Sequence, residues 1–398
     1  MRETTSLLNK LLPELIAFRR DLHQHPELSY REERTAAQVL AQLQKIPGID
    51  LRTGVAGTGI VATLAADRDG PCVALRADMD ALPIEEQGTM PYRSQVVGTM
   101  HACGHDGHTT CLVGAAQVLA ACVDELQGPV KFIFQPAEEG GAGGKRMCEE
   151  GALEGPDVAA IFGLHGAPDM EVGQIFLRTG PVLASADEFE IAVEGLGAHA
   201  AFPHQGIDTV YIAAQIVVAL QTIVARNTDP LDSAVVTVGH IAAGSASNII
   251  PQTARLVGTV RALSEETRQQ TMARVRQIAE HTAAAFGGRA EVRFAENGYP
   301  ATHNDARARA VAEEVVGQAL AETITALERE KPIMGAEDFA FYGQRVPAFM
   351  FGLGLRPRGA SSYPMLHQPD FDFNDDAIAY GVQMHVEIAR GFAQKWGV

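Results

Sequence analysis

Apolar positions along the chain change period several times, and each change marks an element. Leu7, Leu8, Leu11, Leu12 and Leu15 recur at the spacing of an amphipathic helix and predict one over Glu3–His23, with a second over Arg31–Lys45. Short apolar runs at Gly59–Leu64, Cys72–Arg76 and Val130–Gln135 predict strands, with a helix over Asp106–Ala121 between the last two. Phe162–His165 reads as a further strand that ends in a polar residue. Buried β-rich runs separated by helices predict an α/β fold whose largely parallel or mixed sheet is covered on both faces, with functional residues at strand ends. From Ala184 the order becomes strand Phe189–Val193, helix Thr209–Val224, strands Ala234–Ile241 and Ala254–Val260, helix Glu265–Phe286 and strand Ala290–Phe294. A βαββαβ run can close its own split-βαβ, ferredoxin-like sheet, so 184–297 is expected to be an inserted domain and 1–183 with 298–398 the domain it interrupts. Helix Asn304–Glu322, strand Pro347–Gly352 and helix Asp375–Phe392 complete the second part.

At 398 residues and 46% hydrophobic, the chain exceeds the size at which one core usually stops growing, in agreement with two domains. A net charge of −17 without a basic block argues against a nucleic-acid partner, because phosphate binding needs clustered positive charge. No membrane-length apolar run and no signal-peptide pattern is apparent, so the expected place is the cytoplasm with no membrane contact. Five cysteines without disulfide spacing are expected to be reduced and mostly buried.

Candidate chemistry lies at the strand ends. Met100-His101-Ala102-Cys103-Gly104-His105-Asp106-Gly107-His108 and Pro136-Ala137-Glu138-Glu139-Gly140 together offer a thiolate, imidazoles and carboxylates, a donor set suited to zinc or a similar borderline metal. One of the two glutamates can bind metal while its neighbour takes a proton from water. Read by themselves, Cys103 and His105 are also compatible with a core thiol beside a capping histidine, and the glutamates with a solvated helix face. His101 and His108 compete as ligands. His165 and His367 are isolated histidines. Asp78 and Asp80 share one side of an extended segment, where a carboxylate can hold a ligating imidazole in its correct tautomer; a turn role, or pairing with Arg76, is the plainer reading of Asp78.

Taken together these segments resemble the metal-dependent amidohydrolase family of hippurate hydrolase, bacterial N-acyl-amino-acid amidohydrolases and plant auxin-conjugate hydrolases, relatives of aminoacylase and carboxypeptidase G. The resemblance runs through Arg19-Arg20-Asp21-Leu22-His23-Gln24-His25-Pro26-Glu27-Leu28-Ser29, Arg76–Pro83, Cys103–His105, Gln135–Gly140 and Gly335-Ala336-Glu337-Asp338-Phe339. It implies a metallopeptidase-like sheet flanked by helices, and a lid and dimerisation role for the inserted domain. It also implies two divalent metal ions per subunit (zinc, manganese, cobalt or nickel) held by Cys103, His105, Glu139, His165 and His367, with Cys103 bridging. Glu138 would be general base and then acid, and Asp80 would support the ligands. His199, in Gly195-Leu196-Gly197-Ala198-His199, would polarise the substrate carbonyl, and Asn248 would bind substrate. The broader peptidase relatives carry His-x-Asp where this chain has Asp78-Met79-Asp80, so Asp78 is outside the expected ligand set. The implied reaction is hydrolysis of N-acyl or N-aroyl amino acids by a homodimer or dimer-based oligomer; a dipeptidase or aminopeptidase with the same chemistry and an inactive ligand-binding homologue are the alternatives.

Overall fold

A computed structural model describes residues 2–397. The chain divides into two units, Met1–Gly180 with His303–Glu330 and Asp338–Val398, and Pro181–Thr302 with Lys331–Glu337.

The first unit holds an eight-stranded mixed sheet in the order Asp50–Val55, Gly59–Leu64, Val130–Gln135, Cys72–Asp78, Val158–Glu171, Ala348–Arg356, Gln174–Leu177, Thr325–Glu328. Its four central strands, Val130–Gln135 to Ala348–Arg356, run parallel. Every residue of Cys72–Asp78 and Val130–Gln135 is buried, Arg76, Asp78, Lys131 and Gln135 included, so neither strand alternates apolar with solvent-facing polar positions: a parallel strand with both faces covered has no solvent side. Helices Arg2–Gln24, His105–Ala121 and Ile378–Trp396 pack on one another, joined to the sheet by a core that includes Leu15, Leu75, Leu112, Phe132, Phe162 and Val382. Helix His105–Ala121 is buried along most of its length and starts from Gly104 in the left-handed region, φ 87°. The Thr109 hydroxyl donates to the Asp78 carbonyl at 2.7 Å and pins this helix to a strand end.

Three strands of this sheet escape hydrophobic periodicity. Asp50–Val55 and Thr325–Glu328 are the two edges and are mostly exposed, so burial imposes no apolar pattern on them. Gln174–Leu177 has only four residues. The helix expected over Asn304–Glu322 is shorter, Ala306–Gln318. Asp305 caps it by accepting from the Arg307 and Ala308 amides, while the Asn304 side chain donates to the Met350 carbonyl at 2.7 Å.

In the second unit a four-stranded antiparallel sheet runs Ala234–Ala243, Thr253–Ala262, Asp187–Glu194, Arg289–Phe294. Helices Thr209–Leu220 and Glu265–Ala285 pack on it around Phe189, Ile191, Ile216, Leu256 and Val275. Counted along the chain this is strand order two-three-one-four with helices after the first and third strands, the split-βαβ arrangement. Alternating burial along Asp187–Glu194 shows the half-covered sheet directly. The stretch Thr209–Asn227 is, by length and composition alone, apolar enough to cross a membrane, a property the sequence reading did not pick out. It is broken after Leu220, and Ile212, Ala213, Ile216 and Leu220 face the sheet core.

Gly107 shows how closely the first unit is packed at the start of helix His105–Ala121: a Cβ there would lie 2.3 Å from the Phe373 ring. Alanine is the better helix former by about 1 kcal/mol, but overpacking costs about 1–3 kcal/mol, so Gly107→Ala is expected to lower the melting temperature. An unchanged or raised melting temperature in thermal denaturation would contradict this packing.

Candidate metal centre

The donors come from a strand end, a strand interior, a helix start and a loop of the first unit. Strand Cys72–Asp78 ends at Asp78 and leads to Asp80, and Val130–Gln135 runs into Glu138 and Glu139; His165, expected at the end of a strand, instead lies in the middle of Val158–Glu171, which continues past it. The turn before helix His105–Ala121 supplies Cys103, and the helix's first residue is His105. His367 arrives on a loop with φ 65°, and its amide donates to the Ala102 carbonyl at 2.8 Å, so this distant loop is tied to the Cys103 turn.

These side chains converge. Cys103, His105 and His165 form one group whose potential ligand atoms lie within 4.8 Å of one another; Cys103, Glu139 and His367 form a second, and His105, Glu138 and Glu139 a third. Cys103 Sγ is 3.5 Å from His165 Nε2, and His367 Nε2 is 3.3 Å from Glu139 Oε1. These three groups overlap through Cys103, His105 and Glu139, so they form one continuous cluster.

The residues fit a metal on the evidence of their unused atoms. His105 Nε2 is buried without a hydrogen-bond partner, and Glu139 Oε1 makes no hydrogen bond although the His367 imidazole lies 3.3 Å away, a costly arrangement unless a cation completes it. Charge agrees: burial and then the Glu139 carboxylate push the Cys103 thiol well above its ordinary value. The His105 imidazole is also raised well above its own, Asp78 and Cys103 outweighing burial. A bound cation reverses both tendencies, deprotonating thiol and imidazole as ligands.

Asp80 organises this cluster. Its carboxylate accepts from the Glu138 amide at 3.0 Å, the Glu139 amide at 2.9 Å and the Ser29 hydroxyl at 2.7 Å. Its carbonyl lies 2.9 Å from His105 Nδ1, and its Oδ1 3.3 Å away, so His105 Nε2 is the atom aimed at the cluster. Burial opposes the charge on Asp80, but these bonds hold its pKa below the ordinary value.

Asp78 and His108 also approach His105, but His108 is saturated: Nδ1 faces Asp78 at 2.7 Å and Nε2 accepts from the Gly166 amide at 2.9 Å. Arg76 pairs with Asp78 at 2.7 Å, the plainer of the two readings of that aspartate. His101 is buried and joins none of the groups.

Asp338, quoted above only as part of a motif, has a role that sequence reasoning missed. Its buried carboxylate accepts from Arg76 at 3.0 Å, Gln135 at 2.7 Å and the Gly144 amide at 2.7 Å, while its own amide donates to Glu138 Oε1 at 3.3 Å. Two adjacent acidic residues, Glu337 and Asp338, in a short motif bounded by Ala336 and Phe339 were the available signal.

His199 and Asn248 lie together in the second unit. Strand Ala198–His199 pairs with Ile249–Ile250, and the Ala200 amide donates to the Asn248 carbonyl at 3.0 Å. The Ala201 amide donates to His199 Nδ1 at 3.1 Å, which leaves the proton of the neutral, exposed ring on Nε2.

Residues 74–391 match the model of Peptidase family M20/M25/M40. The chain is 43% identical over 372 residues to N-acetyl-L-cysteine deacetylase of Bacillus subtilis (strain 168), covering 93% of this chain and 86% of the relative. It is 40% identical over 389 residues to IAA-amino acid hydrolase ILR1-like 4 of Arabidopsis thaliana, covering 97% and 87%. The crystal structure of the Bacillus subtilis YXEP protein, described as a dinuclear metal binding peptidase of the M20 family, superposes with a TM-score of 0.84 at 36% identity over 97% of this chain and 99% of the other.

Because two successive backbone amides use the Asp80 carboxylate, Asp80→Asn puts an NH₂ donor against a backbone donor. Metal affinity is expected to fall by about 10–100-fold with the fold retained, as read by chelator competition beside circular dichroism. Unchanged affinity would remove Asp80 from the support of the centre.

Proposed function

The chain belongs to peptidase family M20/M25/M40 and is a metal-dependent amidohydrolase, and we propose that it hydrolyses the amide between an acyl or aroyl group and an amino acid, N-benzoylglycine being the model substrate. The observation that carries this reading is the convergence of the donor atoms of Cys103, His105, Glu139, His165 and His367, with Glu138 beside them and His105 Nε2 buried without a hydrogen-bond partner. The relatives' names support the substrate class, since both describe removal of an acyl group from an amino acid.

In this reading the five residues would hold two divalent ions. When bound, the ions polarise the scissile carbonyl and make water more acidic. Glu138 accepts the proton of the attacking water on its carboxylate and returns it to the leaving nitrogen. Its position, nearly buried and fixed from the backbone by Asp80 and Asp338, keeps that carboxylate where a short proton transfer needs it. His199 donates its Nε2 proton to the oxygen on which charge develops, and Asn248 holds the substrate beside it. The domain at 184–297 acts as lid and dimerisation module. Strand Ala234–Ala243 is an open sheet edge, and Val210, Tyr211, Val218 and Ile241 are exposed on that strand and on helix Thr209–Leu220, a surface suited to a second copy of the chain. All five cysteines are free thiols, which fits a cytoplasmic home.

A panel of N-acyl amino acids and dipeptides, assayed for amine release after defined metal loading, tests the substrate class. Preference for N-acyl amino acids supports it, and preference for dipeptides with free amines points to a dipeptidase instead. Glu138→Gln is expected to lose about 10²–10⁴-fold in kcat at unchanged metal content, whereas Glu139→Gln should lose metal; wild-type turnover by Glu138→Gln would sink the base assignment. His199→Ala is expected to lose about 10²–10³-fold in kcat with metal retained. Mixing Glu138→Gln and His199→Ala chains recovers activity if His199 acts across a dimer, and verified heterodimers without recovery rule that route out.

A further inference from the structure

Of the motif Arg19–Ser29 only Ser29 enters the site described above, yet the rest of it is also built into the first unit next to that cluster. Arg19 and His23, in the last turns of helix Arg2–Gln24, are fully buried. Both reach the same oxygen of Asp106: Arg19 Nε and His23 Nδ1 each lie 2.8 Å from Asp106 Oδ2. Asp106 immediately follows His105. The guanidinium of Arg19 continues to Asp372, and its other nitrogen lies 3.4 Å from Asp375. Tyr92 also donates to Asp372, at 2.7 Å, and Tyr363 to the Asp372 carbonyl at 2.8 Å, which closes the loop that carries His367. From His23 the network reaches Glu86 at 3.4 Å, and the next residue, Gln87, donates its amide to the Pro369 carbonyl at 2.7 Å. At the far end of the motif Ser29 holds Asp80.

We propose that Arg19 and His23 are positioning residues of the metal centre, joining through Asp106 and Asp372 the helix start that carries His105 and the loop that carries His367. The inference rests on the reading of those two histidines as ligands. Physical necessity lies in the distance along the chain: His105 and His367 come from unrelated segments, and the loop between Ser361 and Phe373 has no helix or strand of its own to fix it. A buried guanidinium with planar, divergent donors can bind two carboxylates at once, which a point charge does less well. The network is charged as the role requires: His23 is pushed up to about 9, with Asp106 and Glu86 prevailing over burial and the nearby Arg19.

Removing Arg19 outright leaves Asp106 buried without its main partner and is expected to impair folding, so the test uses milder changes. Asp372→Asn keeps the shape of a half-buried side chain and removes its charge; His23→Asn shortens the bridge to Glu86. Zinc affinity of the full-length protein, read by competition with a chromogenic chelator, is expected to weaken about 10–100-fold in both. Val316→Ala, a core truncation in helix Ala306–Gln318, provides a control matched for loss of melting temperature and should keep wild-type affinity. Wild-type zinc affinity in folded Asp372→Asn and His23→Asn overturns the inference, as does an equal loss of zinc in Val316→Ala. His367→Ala separates the two levels. If it loses zinc while the network variants do not, only the positioning role fails; if the wild type and His367→Ala bind zinc equally, the ligand reading fails with it.

Discussion

Everything at the centre depends on buried carboxylates that accept from the backbone. Asp80 is fully enclosed, and its charge survives because two consecutive amides, a hydroxyl and an imidazole face it. Those same bonds set the backbone at Glu138 and Glu139, whose carboxylates come within 4.8 Å of each other and of His105 yet have different further partners. One carboxylate thereby joins Cys103 and His367, while the other is held by the Asp338 amide. An apolar core alone would place the strand end to within its own packing tolerance; hydrogen bonds to a fixed charge narrow the placement to what metal ligation needs.

Around this centre the fold divides its labour between neutral packing and buried charge. Helices Arg2–Gln24, His105–Ala121 and Ile378–Trp396 bury a continuous apolar core on the sheet. The charged groups, Arg76 with Asp78 and Asp338, and Arg19 with Asp106 and Asp372, lie near the ligand-bearing segments. Buried ion pairs add little net stability, since desolvation offsets most of their attraction. Their presence there is better explained by geometry, because Arg76–Asp338, Arg19–Asp106 and Arg19–Asp372 each link segments that share no strand or helix.

Much of this architecture was legible in the sequence, for reasons that differ by element. Gly59–Leu64 and Val130–Gln135 were expected at the bounds the structure gives, because burial on both faces leaves a mostly apolar run, Thr63, Lys131 and Gln135 aside. The edge strands Asp50–Val55 and Thr325–Glu328 were not, because water replaces the neighbour that would have imposed a pattern. Cys103, His105 and the glutamate pair were readable from local spacing. His165 and His367 are single histidines in ordinary surroundings and drew attention only through resemblance to a family. The partners of Asp338 and Arg19 were beyond reach of any local pattern: Arg76 and Asp338 are 262 residues apart, and Arg19 and Asp372 are 353.

The central claim is that Cys103, His105, Glu139, His165 and His367 together hold two divalent ions. Anomalous diffraction from crystals of the metal-loaded protein, collected on both sides of the metal's absorption edge, tests it most directly. The account predicts two peaks a few ångströms apart within bonding distance of these five side chains, about 2.0–2.3 Å for zinc, with Cys103 Sγ touching both and Glu138 touching neither. A cluster without anomalous density, or metal bound by Asp78 and His108 in place of His165 and His367, would contradict it.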